Sequence, residues 1–173
     1  MYRRVCYISY RISGPRGAGF AEEILPRARA KNLASGVTSC LWADDKHFFQ
    51  LLEGPDEAVA QTLARIAGDT RHFGPRLVSS EPVDHLVFRD EPLKLVLPAP
   101  GRTDDLDRML LGLIESLKED APVISVQTAE PLALGLPAHA AGHGSPGTHP
   151  QTFSRRGPLL TNVLTRLTCV GGA

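Results

Sequence analysis

The sequence predicts an α+β sandwich in which helices cover both faces of one sheet. Three observations predict it. Strand and helix signals follow the order strand, helix, strand, strand, helix, strand, strand over residues 1–97. The first and third strands are apolar on both sides, so both faces of the sheet need a cover. A strongly amphipathic segment follows the last strand and supplies the second cover.

The first half of the chain carries a strand, a helix and a hairpin. A strand is predicted over 4–12, where alternate residues face opposite ways before a break rich in Gly and Pro. A helix is predicted over 20–31, and Pro26 inside it should kink the helix or delay its start. Two further strands, 36–42 and 47–52, flank a polar turn, which indicates a β-hairpin.

A second helix and two more strands complete the pattern. Pro55 stands at the tolerated first position of that helix, and an apolar stripe follows. Strand candidates lie at 76–80 and 93–97. A βαββαβ order forms a ferredoxin-like sheet, with strands one and three as parallel neighbours in the middle and both helices on one face. We therefore expect a ferredoxin-like βαββαββ sandwich over residues 1–97.

The residues after the sheet divide into a cap helix and a tail. A continuous apolar stripe predicts a helix over 103–120, with Thr103 as its N-cap. We expect residues 101–120 to cover the back of the sheet. The composition then shifts toward Gly, Pro, Ala and His, which predicts a flexible linker and tail over 121–173. Within this tail, 158–170 regains enough periodicity for a short helix that docks weakly.

The composition excludes several classes of function. The chain has 173 residues with 19 basic and 19 acidic side chains, which argues against binding nucleic acid or an anionic membrane by bulk charge. Its apolar runs are too short for a membrane helix, and we expect no signal peptide. Three widely spaced cysteines without a CxxC pair disfavour a disulfide scaffold and a metal site. They fit a reducing cytoplasm, which we expect as the location.

Three polar side chains are candidates for a binding site on the helix-facing side of the sheet. Tyr7 on strand one and Gln50 on strand three would stand side by side, and Asn32 adds an amide near the end of the first helix. A phenol can donate to an amide oxygen while the amide nitrogen donates onward, which suits a planar, hydrogen-bonding ring. Spacing alone favours the simpler interpretation, an ordinary core tyrosine beside a half-buried glutamine.

The wider sequence resembles a known family of domains. The run FFQLLEG at 48–54, followed by RIAGDTRH at 65–72, is the most specific part of the resemblance. Upstream stand YIS at 7–9, RAKN at 29–32 and GVT at 36–38, in the same order. Together these motifs closely resemble the BLUF (blue light using FAD) photoreceptor domain over about the first 96 residues.

The resemblance implies a flavin-binding light sensor without catalytic activity. FAD would lie between the two helices, and blue light would drive an electron and then a proton from Tyr7 to it. Gln50 would then rearrange its amide, so that the hydrogen bond to the flavin C4 carbonyl strengthens and the absorption shifts reversibly to the red. Asn32 would hold the pyrimidine end of the ring. The other implied contacts are Arg29 at the phosphates, Arg71 at the carbonyl edge, Asp69 at the ribityl side and His72 beside the flavin.

The chain departs from the family pattern in several places. Ala28 stands where the family often has Ser, and Ser39 where it commonly has Gly. The segment Glu91-Pro92-Leu93 aligns with a W-x-M motif that relays the signal in the family. Pro92 cannot donate to a sheet ladder, and Leu93 lacks the sulfur of Met. The resemblance therefore predicts an intact photoswitch with an output that is altered, lost or rerouted through the C-terminal segment.

Two alternatives from other classes stay open. A degenerate member could keep the fold, bind no flavin and serve as an interaction domain, and it would be colourless when purified. An enzyme on the same fold, such as an acylphosphatase-like hydrolase, would need a phosphate-cradling loop, for which residues 14–17 are a weak candidate. For the leading interpretation we expect as partners a flavin and a downstream protein or a second copy of the chain, and neither nucleic acid nor membrane.

Overall fold

The structure is a computed structural model that describes residues 1–12, 18–98, 105–117, 121–134 and 157–169. The strands are β1 (Tyr2–Arg11), β2 (Thr38–Ala43), β3 (His47–Pro55), β4 (His72–Val83) and β5 (Lys94–Val96). The helices are α1 (Ala18–Ser35), α2 (Asp56–Ala67), α3 (Asp105–Ser116), α4 (Ala129–Ala133) and α5 (Gly157–Cys169). The predicted order of strands and helices over residues 1–97 is confirmed, and α1 continues through Pro26.

The strands form one sheet in the order β4-β1-β3-β2-β5. β1 pairs antiparallel with both β3 and β4, and β5 joins the far edge parallel to β2. The ferredoxin-like arrangement is confirmed, but our expectation that strands one and three run parallel is wrong. The crossover through α1 makes β1 and β2 point the same way, and the hairpin between β2 and β3 then reverses the chain. For that reason β3 runs antiparallel to β1.

Alternation along the strands sends side chains into cores on two faces. Tyr7 and Leu52 point to the front face, where α1, α2 and α4 pack. Ile8 and Phe49 point to the back face, where α3 and α5 pack. The predicted cap helix is present as α3, and its apolar stripe is buried against the sheet. The predicted N-cap, Thr103, lies outside the described residues.

Residues 121–134 pack on the protein and do not form the flexible linker that we expected there. Ile124 donates its N–H to the carbonyl of Pro75 at 2.8 Å, and Leu77 donates to the carbonyl of Pro122 at 2.9 Å. These bonds satisfy backbone groups along the outer edge of β4, and α4 then buries its apolar side chains against α2. The pairing with an open strand edge compensates for a composition that looks like a linker.

The helix predicted over 158–170 is present as α5, and it belongs to the back core. Leu160, Val163 and Leu167 are buried there together with the stripe of α3. Residues 135–156, which include the rest of the predicted linker, lie outside the described residues. Across the ranges that the structure describes, no helix combines the length and the apolar character that a membrane span requires.

Candidate functional site

A cavity of about 280 Å³ lies on the front face, between α1 and α2 and above the central strands. This volume is close to the lower end of the roughly 300–1,000 Å³ that small-molecule sites occupy. Polar side chains from the sheet and from both helices reach the cavity. Its apolar lining consists of Ile24, Ala28, Leu41, Phe48, Ile66 and Leu93. Apolar walls around a few convergent polar groups are typical of a ligand site.

Tyr7 and Gln50 are cross-strand neighbours on β1 and β3, and both line the cavity. The Tyr7 hydroxyl donates to Gln50 Oε1 at 2.5 Å, and both side chains are buried. Within the described part of the chain, Gln50 Nε2 has no hydrogen-bond partner, so its donors can serve a molecule in the cavity. Burial, reinforced by the charge of Asp69, raises the pKa of Tyr7 well above its ordinary value. The phenol therefore keeps its proton in the resting protein.

Asn32 lies in the last turn of α1, where the end of the helix determines its position. Gly36 has φ +68°, and Val37 donates its N–H to the Asn32 carbonyl at 2.9 Å, as in a Schellman motif. The buried Asn32 side chain lines the cavity. Its Nδ2 donates to the Pro92 carbonyl at 2.7 Å and to Ser39 Oγ at 3.1 Å. Both N–H groups are thereby used on the protein, and the side-chain oxygen is the atom left for a ligand.

The loop after α2 brings Asp69 and Arg71 to the cavity rim, and His72 reaches it from the first position of β4. Arg71 Nε donates to the two carboxylate oxygens of Asp69 at 2.8 and 3.1 Å, and Nη2 donates there as well. The hydrogen bond from Arg71 is the main reason that the pKa of Asp69 is lowered. Burial lowers the pKa of His72, and its buried Nδ1 has no partner among the described residues. A neutral ring nitrogen is therefore available to a ligand.

Of the seven predicted site residues, all of which lie in the described part of the chain, Arg29 does not line the cavity. Its Nε instead donates to the Leu93 carbonyl at 3.0 Å. A residue one position after Ala28 is rotated by about 100° around the helix axis, which turns it away from the cavity. Besides Arg71, three cations that sequence analysis missed line the cavity: Arg27, Lys31 and Arg65. The spacing of four between the first two is a signal that could have found them.

The cysteines take no part in the site. Cys6 and Cys40 are free and buried in the back core, and burial raises the pKa of each to about 12. They are inert thiols, as expected for buried strand positions. In the described ranges, no group of His, Cys, Asp and Glu side chains could hold a metal ion.

Comparison with known proteins extends what the geometry shows. The family model described as sensors of blue-light using FAD matches residues 2–94. Over 52 residues the chain is 44% identical to the blue light- and temperature-regulated antirepressor BluF of Escherichia coli (strain K12). That match covers 30% of this chain and 13% of the length of the antirepressor.

Solved structures share the fold. The structure titled BlsA photo-activated state has a TM-score of 0.63 and 24% identity, and the alignment covers 97% of this chain and 95% of that one. The dark-state structure of BlrB, a BLUF protein, has a TM-score of 0.56 and 26% identity, with 78% and 97% covered. A family of light sensors agrees with the expectation of a photoreceptor module that is not an enzyme. The chain belongs to the BLUF family, the sensors of blue light using FAD.

Proposed function

We propose that the chain senses blue light with non-covalently bound FAD and responds through a hydrogen-bond switch between Tyr7 and Gln50. The observation that carries this proposal is the buried phenol–amide pair beside the cavity, in which the phenol donates to the amide oxygen. Residues 1–97 would form the flavin-binding domain, and residues 101–120 would provide its cap.

The residues around the cavity suit a flavin ring. A planar ring system with apolar faces and a polar edge needs apolar walls and a few aligned donors and acceptors. Ile24 on α1 and Ile66 on α2 contribute to the walls. Gln50 Nε2 and His72 Nδ1, which have no hydrogen-bond partner in the described ranges, are polar atoms that a bound ring would satisfy.

The Tyr7–Gln50 pair can perform the switch with this chain's own atoms. A bound flavin supplies the absorption of blue light and an acceptor for one electron and one proton. The raised pKa of Tyr7 means that its proton stays on the phenol until an electron has left. Gln50 accepts the phenol hydrogen bond, and its amide can exchange donor and acceptor by rotation or tautomerisation. The network therefore switches without moving net charge, and a dry site makes each bond matter more.

Cations at the cavity favour a flavin that carries phosphates. Arg27 and Lys31 stand on one side of α1, and Arg65 reaches the cavity from α2. Over the described ranges, neither of the first two has an acidic partner, and Arg65 Nη2 donates to Thr62 Oγ1 at 2.7 Å. Guanidinium and ammonium groups bind phosphate well, so we assign them to the pyrophosphate of FAD.

The remaining assignments follow the family resemblance. We assign the Asn32 oxygen to the pyrimidine end of the ring, and His72 to the ring surroundings. Asp69 and Arg71 hold each other at the rim, where we assign them to the ribityl side and the carbonyl edge. We assign the phosphate role to Arg27, Lys31 and Arg65 in place of Arg29.

We also propose that the light state is passed on by contact with a downstream protein or with a second copy of the chain. The Escherichia coli relative is an antirepressor by name, and an antirepressor acts on a repressor. Cys6, Cys40 and Cys169 are all free thiols, which supports a reducing cytoplasm as the place of action.

The test is the visible absorption of the purified full chain before and after blue illumination. We expect flavin bands with a small red shift that decays in the dark, and a released flavin whose mass is that of FAD. Tyr7→Phe should keep the bands and lose the shift, because it removes the proton donor. The control is Tyr10→Phe, at a ring that stacks on Phe73, and it should keep the shift.

Two results would contradict the proposal. An unchanged shift in Tyr7→Phe would remove Tyr7 from the switch. A colourless wild type that takes up no added FAD would favour the degenerate interaction domain.

A further inference from the structure

Ser39, where the chain departs from the family pattern, contacts Pro92 in the segment that aligns with the W-x-M motif. Ser39 Oγ donates to the Pro92 carbonyl at 3.0 Å, and Asn32 Nδ2 donates to the same oxygen at 2.7 Å. The next carbonyl is held too, because Arg29 Nε donates to Leu93 at 3.0 Å. We call the three donors, Arg29, Asn32 and Ser39, the clamp.

The clamp ties the cavity wall to the residues that lead into β5. A carbonyl oxygen has two lone pairs, so the Pro92 oxygen is saturated by its two donors. Pro92 also has a fixed φ, which stiffens this short segment. Leu93 is 1% exposed and lines the cavity. A movement of the last turn of α1 would therefore move residues 92–93 with it.

Asn32 is the point at which a change in the cavity would enter this path. Its side chain and that of Gln50 line the same cavity. Its nitrogen is used on Pro92 and Ser39, so only its oxygen would be left for a bound ring. A rearrangement of the hydrogen bonds at the ring edge would therefore act on an amide that already holds the Pro92 carbonyl.

Lys94, the first residue of β5, is tied to α5. Its Nζ donates to the Leu167 carbonyl at 3.0 Å. Leu167 lies two residues before Cys169, the last residue of α5. A cation at a helix C-terminus also interacts favourably with the helix dipole. In the described ranges Lys94 pairs with no carboxylate, and its Nζ lies 6.0 Å from the centre of the Phe88 ring.

β5 is an element that can shift at low cost. It has three residues and lies at the edge of the sheet, where it pairs with β2 alone. Short edge elements with few hydrogen bonds are at the low-stability end of a fold. A small displacement at the clamp can therefore reach Lys94.

We propose that this chain transmits the light state along a hydrogen-bonded path from Asn32 through Pro92 to Lys94, and that α5 is the element it releases. The inference rests on the proposed function, because the rearrangement of Gln50 is its input. Backbone carbonyls replace the aromatic and Met side chains that the chain lacks at 91–93. Ser39 and Arg29 act as positioning residues for this path.

The test measures amide hydrogen exchange in α5 of the full, flavin-loaded chain, in the dark and under blue light. In the wild type, light should raise exchange in 157–169 by about fivefold or more, as expected for loss of a charged hydrogen bond at a helix end. Lys94→Met keeps the aliphatic stem and removes the donor. It should raise exchange already in the dark and abolish most of the difference between dark and light, with the absorption shift retained.

Two matched controls separate the path from general loosening. Arg166→Met also removes a cation, here from α5 itself, where Arg166 makes an exposed ion pair with Asp105 at 3.5 Å, and it should keep the light-dependent difference. Ser39→Ala should reduce that difference. Thr38→Val should leave it unchanged, because the buried Thr38 hydroxyl has no partner in the described ranges.

The outcomes distinguish this inference from the proposed function. A wild-type absorption shift without a change in α5 overturns the inference alone. So does a Lys94→Met protein that keeps the wild-type difference in exchange. A wild type that binds flavin but shows no absorption shift overturns the proposed function, and the inference falls with it.

Discussion

Two polar pairs on the same β1–β3 ladder, three residues apart, face opposite sides of the sheet. Arg4 pairs with Glu53 on the back face, and Tyr7 pairs with Gln50 on the front face. Glu53 is fully buried, and its Oε1 accepts from Arg4 Nε at 2.7 Å while its Oε2 accepts from two backbone N–H groups. Gln50, in contrast, keeps an amide nitrogen that no described residue accepts from.

The difference shows how one ladder serves stability on one face and a responsive site on the other. On the back face, a saturated charged pair stands beside one continuous apolar core that includes α3 and α5. On the front face, the apolar side chains form two separate clusters, and a cavity lies between α1 and α2. The Arg4–Glu53 network, in which every acceptor is occupied, favours a single hydrogen-bond arrangement. The neutral Tyr7–Gln50 pair has a spare donor and can adopt a second arrangement.

Removing the Glu53 carboxylate should have the largest effect on stability. Glu53→Ala should lower the free energy of unfolding by about 3–5 kcal/mol, because it removes the main partner of the largely buried Arg4 side chain and the acceptor of two backbone N–H groups. Urea unfolding followed by circular dichroism measures this. The control is Glu81→Ala, an exposed partner of the same arginine at 3.4 Å, which should cost about 1 kcal/mol or less. Equal effects of the two variants would contradict a structural role for the buried pair.

Truncating one leucine on each face should reveal the difference in packing. Leu113 on the back face is 0% exposed and Leu93 at the cavity is 1% exposed. Leu113→Ala should destabilise by an amount within the usual range of about 2–5 kcal/mol, and Leu93→Ala should fall near its lower end. Leu93 already borders a cavity, so it has fewer packing contacts to lose. Equal losses in urea unfolding would show that the front face is packed as closely as the back.

The smallest expected effect is the pH dependence that His72 contributes. Burial lowers the pKa of His72 in the folded chain, with Asp69 and Arg71 acting in opposite directions on it. The unfolded chain therefore takes up the proton first as the pH falls, and stability is lost below about pH 6.5. When the pH is lowered from about 7 to about 5, the midpoint temperature of thermal unfolding should decrease in both proteins. The decrease should be smaller by roughly 2 °C in His72→Asn than in the wild type. An identical pH profile would contradict this.

Periodic patterns in the sequence predicted the features that depend on residues close together in the chain, namely the face to which a strand residue points and the position of an amphipathic helix. A period of two places Tyr7 and Gln50 on one face of the sheet, because successive side chains of a strand point to opposite sides. An apolar stripe at helical spacing predicted α3, because burying one face stabilises an amphipathic helix. The same local patterns, together with the family motifs, predicted seven site residues, and six of these line the cavity.

Tertiary structure decided what depends on residues far apart in the chain. The direction of β3 against β1, the packing of 121–134 along β4 and the contact between Lys94 and Leu167 all join distant segments. No local periodicity encodes such contacts, since each depends on which edge or helix end is left open after the sheet has formed. Arg29 shows the same limit at the site. Its side chain donates a hydrogen bond to the carbonyl of Leu93, just before β5. These two residues are 64 positions apart in the sequence, so only the folded protein brings them within hydrogen-bonding distance.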